Sequence, residues 1–211
     1  MAKGGAYERE VAKQLSLWWS QDWDEPTDEL LWRSSMSGGR ATVRSKQGKT
    51  TSGHYGDIIA TDTRATPVVA LATWELKCGY SKFSPWDLVD RNRNKDADPM
   101  WGHFVAQAIH AHRDAGTHGW CVVARRNGRE PFILMSNLIF NELKKQPGSE
   151  KAHFTQITKI QSYINSREKK KRPLCGTVIF YSFYFEEFLK CFSPKAWLKA
   201  LKALDKVNPR K

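Results

Sequence analysis

The pattern of apolar and polar residues predicts a chain in which helices and strands follow one another in mixed order. Near the amino terminus, apolar side chains recur at helical spacing, which predicts an amphipathic helix over residues 6–20. Short apolar runs that predict strands follow at residues 30–35, 56–61, 68–78 and 120–124. The run 68–78 is almost continuously apolar, so we expect a central strand that is buried on both faces. A second helix at residues 101–115 precedes the strand 120–124, and this succession predicts an α/β sandwich.

The last third of the chain continues in the same way. Strand patterns lie at residues 131–135, 154–160 and 178–184, and helix patterns at 137–145 and 194–206. No internal repeat and no convincing linker separates these elements from the rest. We therefore expect a single domain over residues 1–211, with a core at about 3–125 and a C-terminal extension at about 126–211.

Charge then narrows the choice of partner. The chain has 34 Lys and Arg against 22 Asp and Glu, a formal net charge of +12, which favours a polyanionic partner. Nucleic acid is the first such partner and an anionic membrane surface the second, while a basic protein that is merely soluble is the plainer alternative. We expect DNA as the partner and no small-molecule substrate.

Signals for export and for disulfides are both missing from the sequence. The amino terminus has no apolar signal region, and the longest apolar run, residues 178–185, is too short to span a bilayer. The four cysteines form no Cys-x-x-Cys pair and show no zinc spacing, which indicates reduced thiols. We therefore predict no membrane association and a place in the cytoplasm, either of a prokaryote or of a phage-infected host.

Two strand-like segments carry acidic residues that suit metal-dependent chemistry. The segment GDII contains Asp57, and the segment WELK contains Glu75 and Lys77. Alternation along a strand puts Glu75 and Lys77 on one face, with Leu76 opposite. Two carboxylates and an ammonium group are what a Mg²⁺-dependent phosphodiesterase needs, because Mg²⁺ prefers oxygen ligands. The plainer interpretation is a salt bridge at the end of an exposed strand.

The Glu-x-Lys spacing alone is weak evidence in so charged a chain. It occurs three times, beginning at Glu75, Glu142 and Glu168. Glu142 falls in a predicted helix and Glu168 in a basic loop, so only Glu75 lies in an apolar run that follows a strand with a lone acid. A charged pair inside such a strand is costly unless a metal or a partner compensates it. The context therefore favours Glu75.

These motifs resemble those of the PD-(D/E)XK nuclease superfamily, in which an acid on one strand is followed by a Glu-x-Lys motif on the next. Here Asp57 stands 18 residues before Glu75, and Gly56 replaces the proline of the superfamily motif. The segment KGGAYERE at residues 3–10 is similar to the K-G-x-x-x-E-R-E pattern that opens the first helix of archaeal Holliday-junction resolvases. In that family the first glutamate of the pattern is catalytic, and here it is Glu8.

The resemblance covers about residues 3–124 and implies a fold, a reaction and a set of roles. The fold is restriction-endonuclease-like, a central mixed β-sheet flanked by helices, here with a C-terminal α/β extension. The reaction is metal-dependent hydrolysis of DNA phosphodiester bonds, in which Lys77 would orient the attacking water. The implied ligands of Mg²⁺ or Mn²⁺ are Asp57, Glu75, the backbone carbonyl of Leu76 and, directly or through water, Glu8. For Glu8 the plainer alternative is an exposed first-turn glutamate that the helix dipole stabilises.

Further candidates surround these positions. An Arg-Ser pair at residues 33–34, ahead of the long polar segment 36–55, is similar to a pair that lies near DNA in the resolvases. The candidate DNA contacts are Arg33, Ser34, Arg40, Arg44, Lys46 and Lys49. Gln107, on the helix after the Glu-x-Lys strand, and His54 are secondary candidates for the site. The tryptophans near the amino terminus could stack on bases, although a place in the core is the favoured interpretation.

Three functions from two classes fit these observations. The leading interpretation is a homodimeric, phage-like Holliday-junction resolvase acting in DNA recombination, whose two-fold symmetry brings one site to each of two strands. The second is another PD-(D/E)XK nuclease of the restriction, nicking or exonuclease type. The third is a catalytically silent DNA-binding module on the same fold, against which the intact Asp57, Glu75 and Lys77 argue.

Overall fold

A five-stranded mixed sheet with helices on both faces forms the centre of the protein. The computed structural model describes residues 3–34, 55–79, 97–126, 128–160 and 177–209. The strands are β1 (Leu31–Arg33), β2 (Ile58–Ala60), β3 (Ala72–Cys78), β4 (Gly119–Arg125), β5 (Phe132–Ser136), β6 (Thr155–Ile160) and β7 (Thr177–Tyr184). The α-helices are α1 (Lys3–Trp19), α2 (Thr66–Leu71), α3 (Ala97–Ala115), α4 (Asn137–Lys144), α5 (Phe185–Cys191) and α6 (Pro194–Val207).

The main sheet has the strand order β3-β4-β5-β7-β6. β3 and β4 run parallel and are connected through α3, whereas the other neighbours are antiparallel. β1 and β2 form a separate antiparallel pair. This architecture confirms the predicted fold class, because a mixed sheet flanked by helices is consistent with a restriction-endonuclease-like fold.

The apolar sequence of β3 predicted a central strand, but β3 is the end strand of the five-stranded sheet. Its first half is nevertheless buried on both faces, because α1 and α3 both pack against it. The segment that leads into β2 lies along its other edge, where the Asp57 amide donates to the Trp74 carbonyl at 2.7 Å. Because two helices and this segment cover it, β3 has the apolar sequence that is typical of a central strand although it is an end strand.

The predicted strand at residues 68–78 is helical in its first part. Residues Thr66–Leu71 form α2, and β3 starts only at Ala72. Pro67 lies in the first turn of α2, where its fixed φ suits a helix and no backbone hydrogen bond is lost. Periodicity alone does not distinguish a short buried helix from a buried strand, so this boundary depended on tertiary packing.

The C-terminal extension is built into both the sheet and the core. Its strands β5, β7 and β6 continue the sheet beyond β4. Trp197 of α6 stacks on Trp74 of β3 with ring centroids 5.7 Å apart, and Phe188 of α5 packs against Trp74 and against Trp18 of α1. The Trp18 indole N–H also donates to the carbonyl of Phe192 at 2.7 Å. The helices α1, α5 and α6 therefore share one aromatic core.

Three of the four tryptophans near the amino terminus lie in the hydrophobic core or pack against it. Trp18 and Trp19 are buried, which confirms their predicted place in the core. Trp32 on β1 is 40% exposed, and Trp23 is partly buried with the Arg64 guanidinium 4.5 Å from its ring centroid.

Helix α5 was not predicted, whereas α6 begins as expected, with a Ser193 cap. Among the described residues, no helix combines the length and apolar character needed to cross a membrane.

Candidate active site

The end of β3 carries an ion pair on the face that α3 covers. Lys77 Nζ lies 3.0 Å from Glu75 Oε2, and the two side chains are only 14% and 13% exposed. In register these residues stand beside Val122 and Ala124 of β4, which belong to the apolar core under α3. The Lys77 ammonium also lies 5.6 Å from the ring centroid of Phe104. The predicted placement of Glu75 and Lys77 on one face is confirmed, and the pair is not the exposed salt bridge of the plainer interpretation.

A glycine brings Asp57 against β3. Gly56 has a φ of +80°, and a Cβ there would lie 2.7 Å from the Trp74 carbonyl oxygen. Beyond it, Asp57 Oδ2 accepts a hydrogen bond from the Leu76 amide at 2.7 Å. Because the amide and the carbonyl of one strand residue point to the same side, the Leu76 carbonyl faces Asp57 as well. Close approach of the two backbones thus explains a glycine where the superfamily motif has proline.

The Asp57 carboxyl lies in surroundings that disfavour its charged form. Burial raises the pKa of Asp57 to about 7, and the neighbouring Glu75 carboxylate adds to the rise. Lys77 and the Leu76 amide lower this pKa, and Glu8 raises it by a smaller amount. The cation and the donor therefore do not offset the combined effect of burial and of the neighbouring acids. Such a site favours either a proton or a bound cation.

Helix α1 brings Glu8 to the same region. Glu8 Oε2 lies 3.1 Å from Arg33 Nε, and the side chains are 15% and 30% exposed. Gly5 makes room for this contact, because a Cβ there would lie 2.6 Å from Arg33 Nη1. Glu8 is therefore not the exposed first-turn glutamate of the plainer alternative. It is a largely buried acid that joins α1 to the end of β1.

The remaining predicted residues fall into three groups. Ser34 is fully buried, and its amide donates to the Asp57 carbonyl at 2.8 Å, so it helps to position Asp57. Gln107 is half-buried on α3, three residues after Phe104 and thus on a similar helix face, and it stays a secondary candidate. The candidates that lie outside the described residues are Arg40, Arg44, Lys46, Lys49 and His54.

The oxygen ligands at this site fit a hard divalent cation. In the part of the chain that the structure describes, no group of three or more His, Cys, Asp or Glu side chains could hold a metal. Asp57 and Glu75 would thus supply two carboxylates, to which the Leu76 carbonyl and, through water, Glu8 could be added. Mg²⁺ is commonly bound by one or two carboxylates together with waters and substrate phosphate. The set does not suit a closed zinc site, which takes four nitrogen or sulfur ligands.

One cluster at this end of the sheet was not predicted from the sequence. Arg125, the last residue of β4, lies 2.7 Å through Nη1 from Glu10 Oε1, with its guanidinium 4.5 Å from the ring centroid of Tyr7. Burial raises the pKa of Tyr7, and its hydroxyl has no hydrogen-bond partner among the described residues. The signal available in the sequence was the segment ARRNGR, three arginines between two apolar strands.

Comparison with known proteins assigns the chain to a family. The family described as "Phage putative PDDEXK endonuclease" matches residues 1–172 of the 211. No curated protein and no solved structure gives a significant match. The matched region contains Glu8, Asp57, Glu75 and Lys77, the residues that the fold brings to the end of β3. Since the match spans most of the chain, the protein belongs to this phage PDDEXK endonuclease family and is a nuclease of the PD-(D/E)XK superfamily.

Proposed function

We propose that this nuclease is a homodimeric, divalent-metal-dependent endonuclease that cuts branched DNA, with the four-way Holliday junction as its substrate. The observation that carries the proposal is the convergence of Glu8, Asp57, Glu75 and Lys77 on one end of β3. Family membership supports the reaction, and nucleases of this superfamily generally use divalent metal ions. The choice of a junction rests on the similarity of residues 3–10 to the first-helix pattern of archaeal resolvases.

In this proposal the end of β3 holds the metal ion and positions the attacking water. Asp57, Glu75 and the Leu76 carbonyl would bind Mg²⁺ or Mn²⁺, with Glu8 acting through water. A bound ion of this kind lowers the pKa of water and polarises a phosphate. Lys77 orients the water and offsets the negative charge that develops on the phosphate. Its contact with Glu75 fixes the ammonium before substrate arrives, so less ordering is needed during the reaction.

Basic residues on the β1 side of the site would hold the DNA backbone. Arg33 is 30% exposed and is fixed at the end of β1 by Glu8. We assign the same role to residues of the following polar segment, namely Arg40, Arg44, Lys46 and Lys49, with His54 and Gln107 as secondary site residues. Phosphate contacts position a duplex without reading its sequence, so selectivity would come from the shape of the DNA.

Symmetric cleavage of a junction requires two copies of this site. A two-fold dimer would deliver one site to each of two strands. We also propose that residues 1–211 form a single nuclease domain. The continuation of the sheet by β5, β7 and β6, together with the shared core of α1, α5 and α6, supports this part of the proposal.

The test is cleavage of three end-labelled DNAs side by side: a four-way junction, a linear duplex and a single strand, each with Mg²⁺, Mn²⁺ or EDTA. The proposal expects paired, symmetric nicks near the branch point, with the other two DNAs spared. Cutting of linear or single-stranded DNA at a similar rate would keep the nuclease and overturn the junction selectivity. No cutting of any DNA by folded wild-type protein would overturn the proposal in favour of a silent DNA-binding module.

A matched pair of variants separates the site from a chance motif. Glu142 begins another Glu-x-Lys segment, but it lies on α4 and pairs with Lys145 at 2.6 Å. We expect Glu75→Gln to abolish detectable cleavage and Glu142→Gln to retain it. Wild-type rates in both variants would show that the end of β3 is not the active site.

A further inference from the structure

The turn between β4 and β5 carries three arginines, Arg125, Arg126 and Arg129, which we call the arginine turn. It lies at the same end of the sheet as the active site, because β3 and β4 are parallel and Lys77 pairs in register with Ala124. Arg126 follows two residues after Ala124. With strands about 4.8 Å apart and a rise of about 3.3 Å per residue, its backbone is roughly 8 Å from that of Lys77. At about 3.4 Å per nucleotide of one strand, this distance corresponds to roughly two to three nucleotides.

The arginine turn presents positive charge to solvent. Arg126 and Arg129 are exposed, and the Arg129 amide donates to the Arg126 carbonyl at 3.1 Å. Arg125 is 31% exposed and is fixed by Glu10 and by the ring of Tyr7. Glu130 is the acidic neighbour within the turn. Of the three guanidinium groups in this turn, only that of Arg125 is paired with an acid of the described residues, and the turn lies beside a site whose proposed substrate is a polyanion.

Salt bridges within the described part of the fold do not involve the two exposed arginines, Arg126 and Arg129. Arg33, Arg64 and Arg125 each form a salt bridge with an acid of the fold. Among the described residues, neither Arg126 nor Arg129 forms one. A guanidinium without a partner in the free protein can bind a phosphate without first breaking an existing ion pair.

We propose that the arginine turn binds the phosphate backbone of substrate DNA on the β4 side of the active site. Guanidinium groups match phosphate oxygens in a bidentate geometry, and such contacts set position without reading bases. The turn and Arg33 lie on opposite sides of Lys77, so the DNA is held on both sides of the phosphate that is cut. This inference rests on the proposed DNA-cleaving function and adds a binding surface to it.

The test measures DNA binding apart from cleavage. Fluorescence anisotropy of a labelled linear duplex and a labelled four-way junction is followed in EDTA over a range of NaCl concentrations. The variant Arg126→Ala/Arg129→Ala should raise the Kd for both DNAs roughly tenfold at about 0.1 M salt. It should also reduce the slope of log Kd against log salt by about two, because each arginine removed leaves one phosphate group without its cation.

A second double variant controls for net charge. Arg113, in the last turn of α3, and Lys206, in the last turn of α6, are exposed at the end of the sheet where β4 begins. Arg113→Ala/Lys206→Ala removes the same charge and should bind both DNAs like the wild type. Thermal melts of both variants verify that they fold.

The possible outcomes separate this inference from the proposed function. Equal Kd values and salt slopes for the arginine-turn variant and the wild type would overturn the inference alone, because wild-type cleavage is measured separately. An equal loss in both double variants would also overturn it, since the effect would then follow net charge. Absence of any DNA binding by the wild type would overturn both proposals.

Discussion

The two ends of the β3–β4 pair both bury polar groups, but they differ in how those groups are satisfied. Where the strands begin, the hydroxyls of Thr73 and Thr117 lie 3.0 Å apart, and His112 Nδ1 lies 3.0 Å from the Thr117 carbonyl oxygen. Burial lowers the pKa of His112, which favours its neutral form. The His118 side chain is 4% exposed, with Nε2 2.8 Å from Asp205 Oδ1. Each buried group at this end thus has a complementary partner.

Where the same strands finish, acids gather without full compensation. Burial and Glu75 raise the pKa of Asp57 to about 7 although Lys77 and the Leu76 amide oppose the rise. Glu8 contributes to the same negative potential. Buried charges that the fold does not fully compensate concentrate at functional sites. Polar groups are buried at both ends, so what distinguishes the candidate active end of the sheet is a buried carboxyl whose charged form its surroundings disfavour.

Substitutions at the two ends should differ most in their effect on the rate of DNA cleavage. Asp57→Asn keeps an acceptor for the Leu76 amide but removes a negative charge at the proposed metal site, so we expect the rate to fall by roughly 10³-fold. Asp205→Ala removes an acid at the other end and should change the rate by no more than about twofold. Single-turnover cleavage in Mg²⁺ measures both. Similar losses in the two variants would show that the ends do not differ in function.

A smaller loss of cleavage is expected when the cation of the candidate active end, Lys77, is removed. Lys77→Met should lower the single-turnover rate at saturating DNA by roughly 10²-fold, because the ammonium stabilises charge that develops during the reaction. Lys144→Met, in the helical Glu-x-Lys segment of α4, is the matched control and should retain the wild-type rate. A higher Kd for DNA with an unchanged saturated rate would assign Lys77 to binding instead.

The third prediction concerns stability and its dependence on pH. The pKa of Asp57 is raised from 3.8 to about 7, so between these values the folded protein holds a proton that the unfolded chain releases. The stability from this proton is lost as pH rises. Between about pH 5 and about pH 8, the free energy of unfolding of the wild type should fall by about 2–3 kcal/mol relative to that of Asp57→Asn. At roughly 2–4 °C per kcal/mol, the Tm of Asp57→Asn relative to that of the wild type should rise by about 4–12 °C over this pH range.

Thermal melts in EDTA at the two pH values measure this difference. Addition of Mn²⁺ at the higher pH should raise the Tm of the wild type and leave that of Asp57→Asn unchanged, because the cation replaces the proton at the carboxylates. A constant difference in Tm between the two proteins across this pH range would contradict the raised pKa assigned to Asp57 at the candidate active end.

The smallest effect is a loss of stability, expected at the end where β3 and β4 begin and each buried polar group has a partner. Asp205→Ala leaves the buried His118 without this acceptor and should lower the free energy of unfolding by about 1–2 kcal/mol. The loss stays modest because Asp205 is 35% exposed, so water can take its place. Asp205→Asn keeps an acceptor and should recover most of the loss. Urea unfolding measures both variants, and equal destabilisation by them would assign the effect to the charge of Asp205.

Parts of the candidate active site could be predicted because they depend on local geometry. Strand alternation alone places Glu75 and Lys77 on one face, and the structure joins them at 3.0 Å. Glu8 is a different case, since no local feature distinguishes it from other glutamates on the surface of a helix. It was found only through the resemblance of the segment KGGAYERE, and its contact with Arg33 depends on how α1 packs against β1.

The mixed α/β class, the β3 motif and the basic charge could all be predicted from the order of amino acids, because periodicity, alternation and composition are local properties of the chain. Packing between elements distant in sequence makes β3 an end strand, folds the start of its apolar run into α2, and places the C-terminal helices in the core beneath α1. It also brought the arginine turn beside Lys77, which depends on parallel pairing between strands distant in sequence. The shifted pKa of Asp57 belongs to this second group, because burial and the convergence of charges exist only once the chain has folded.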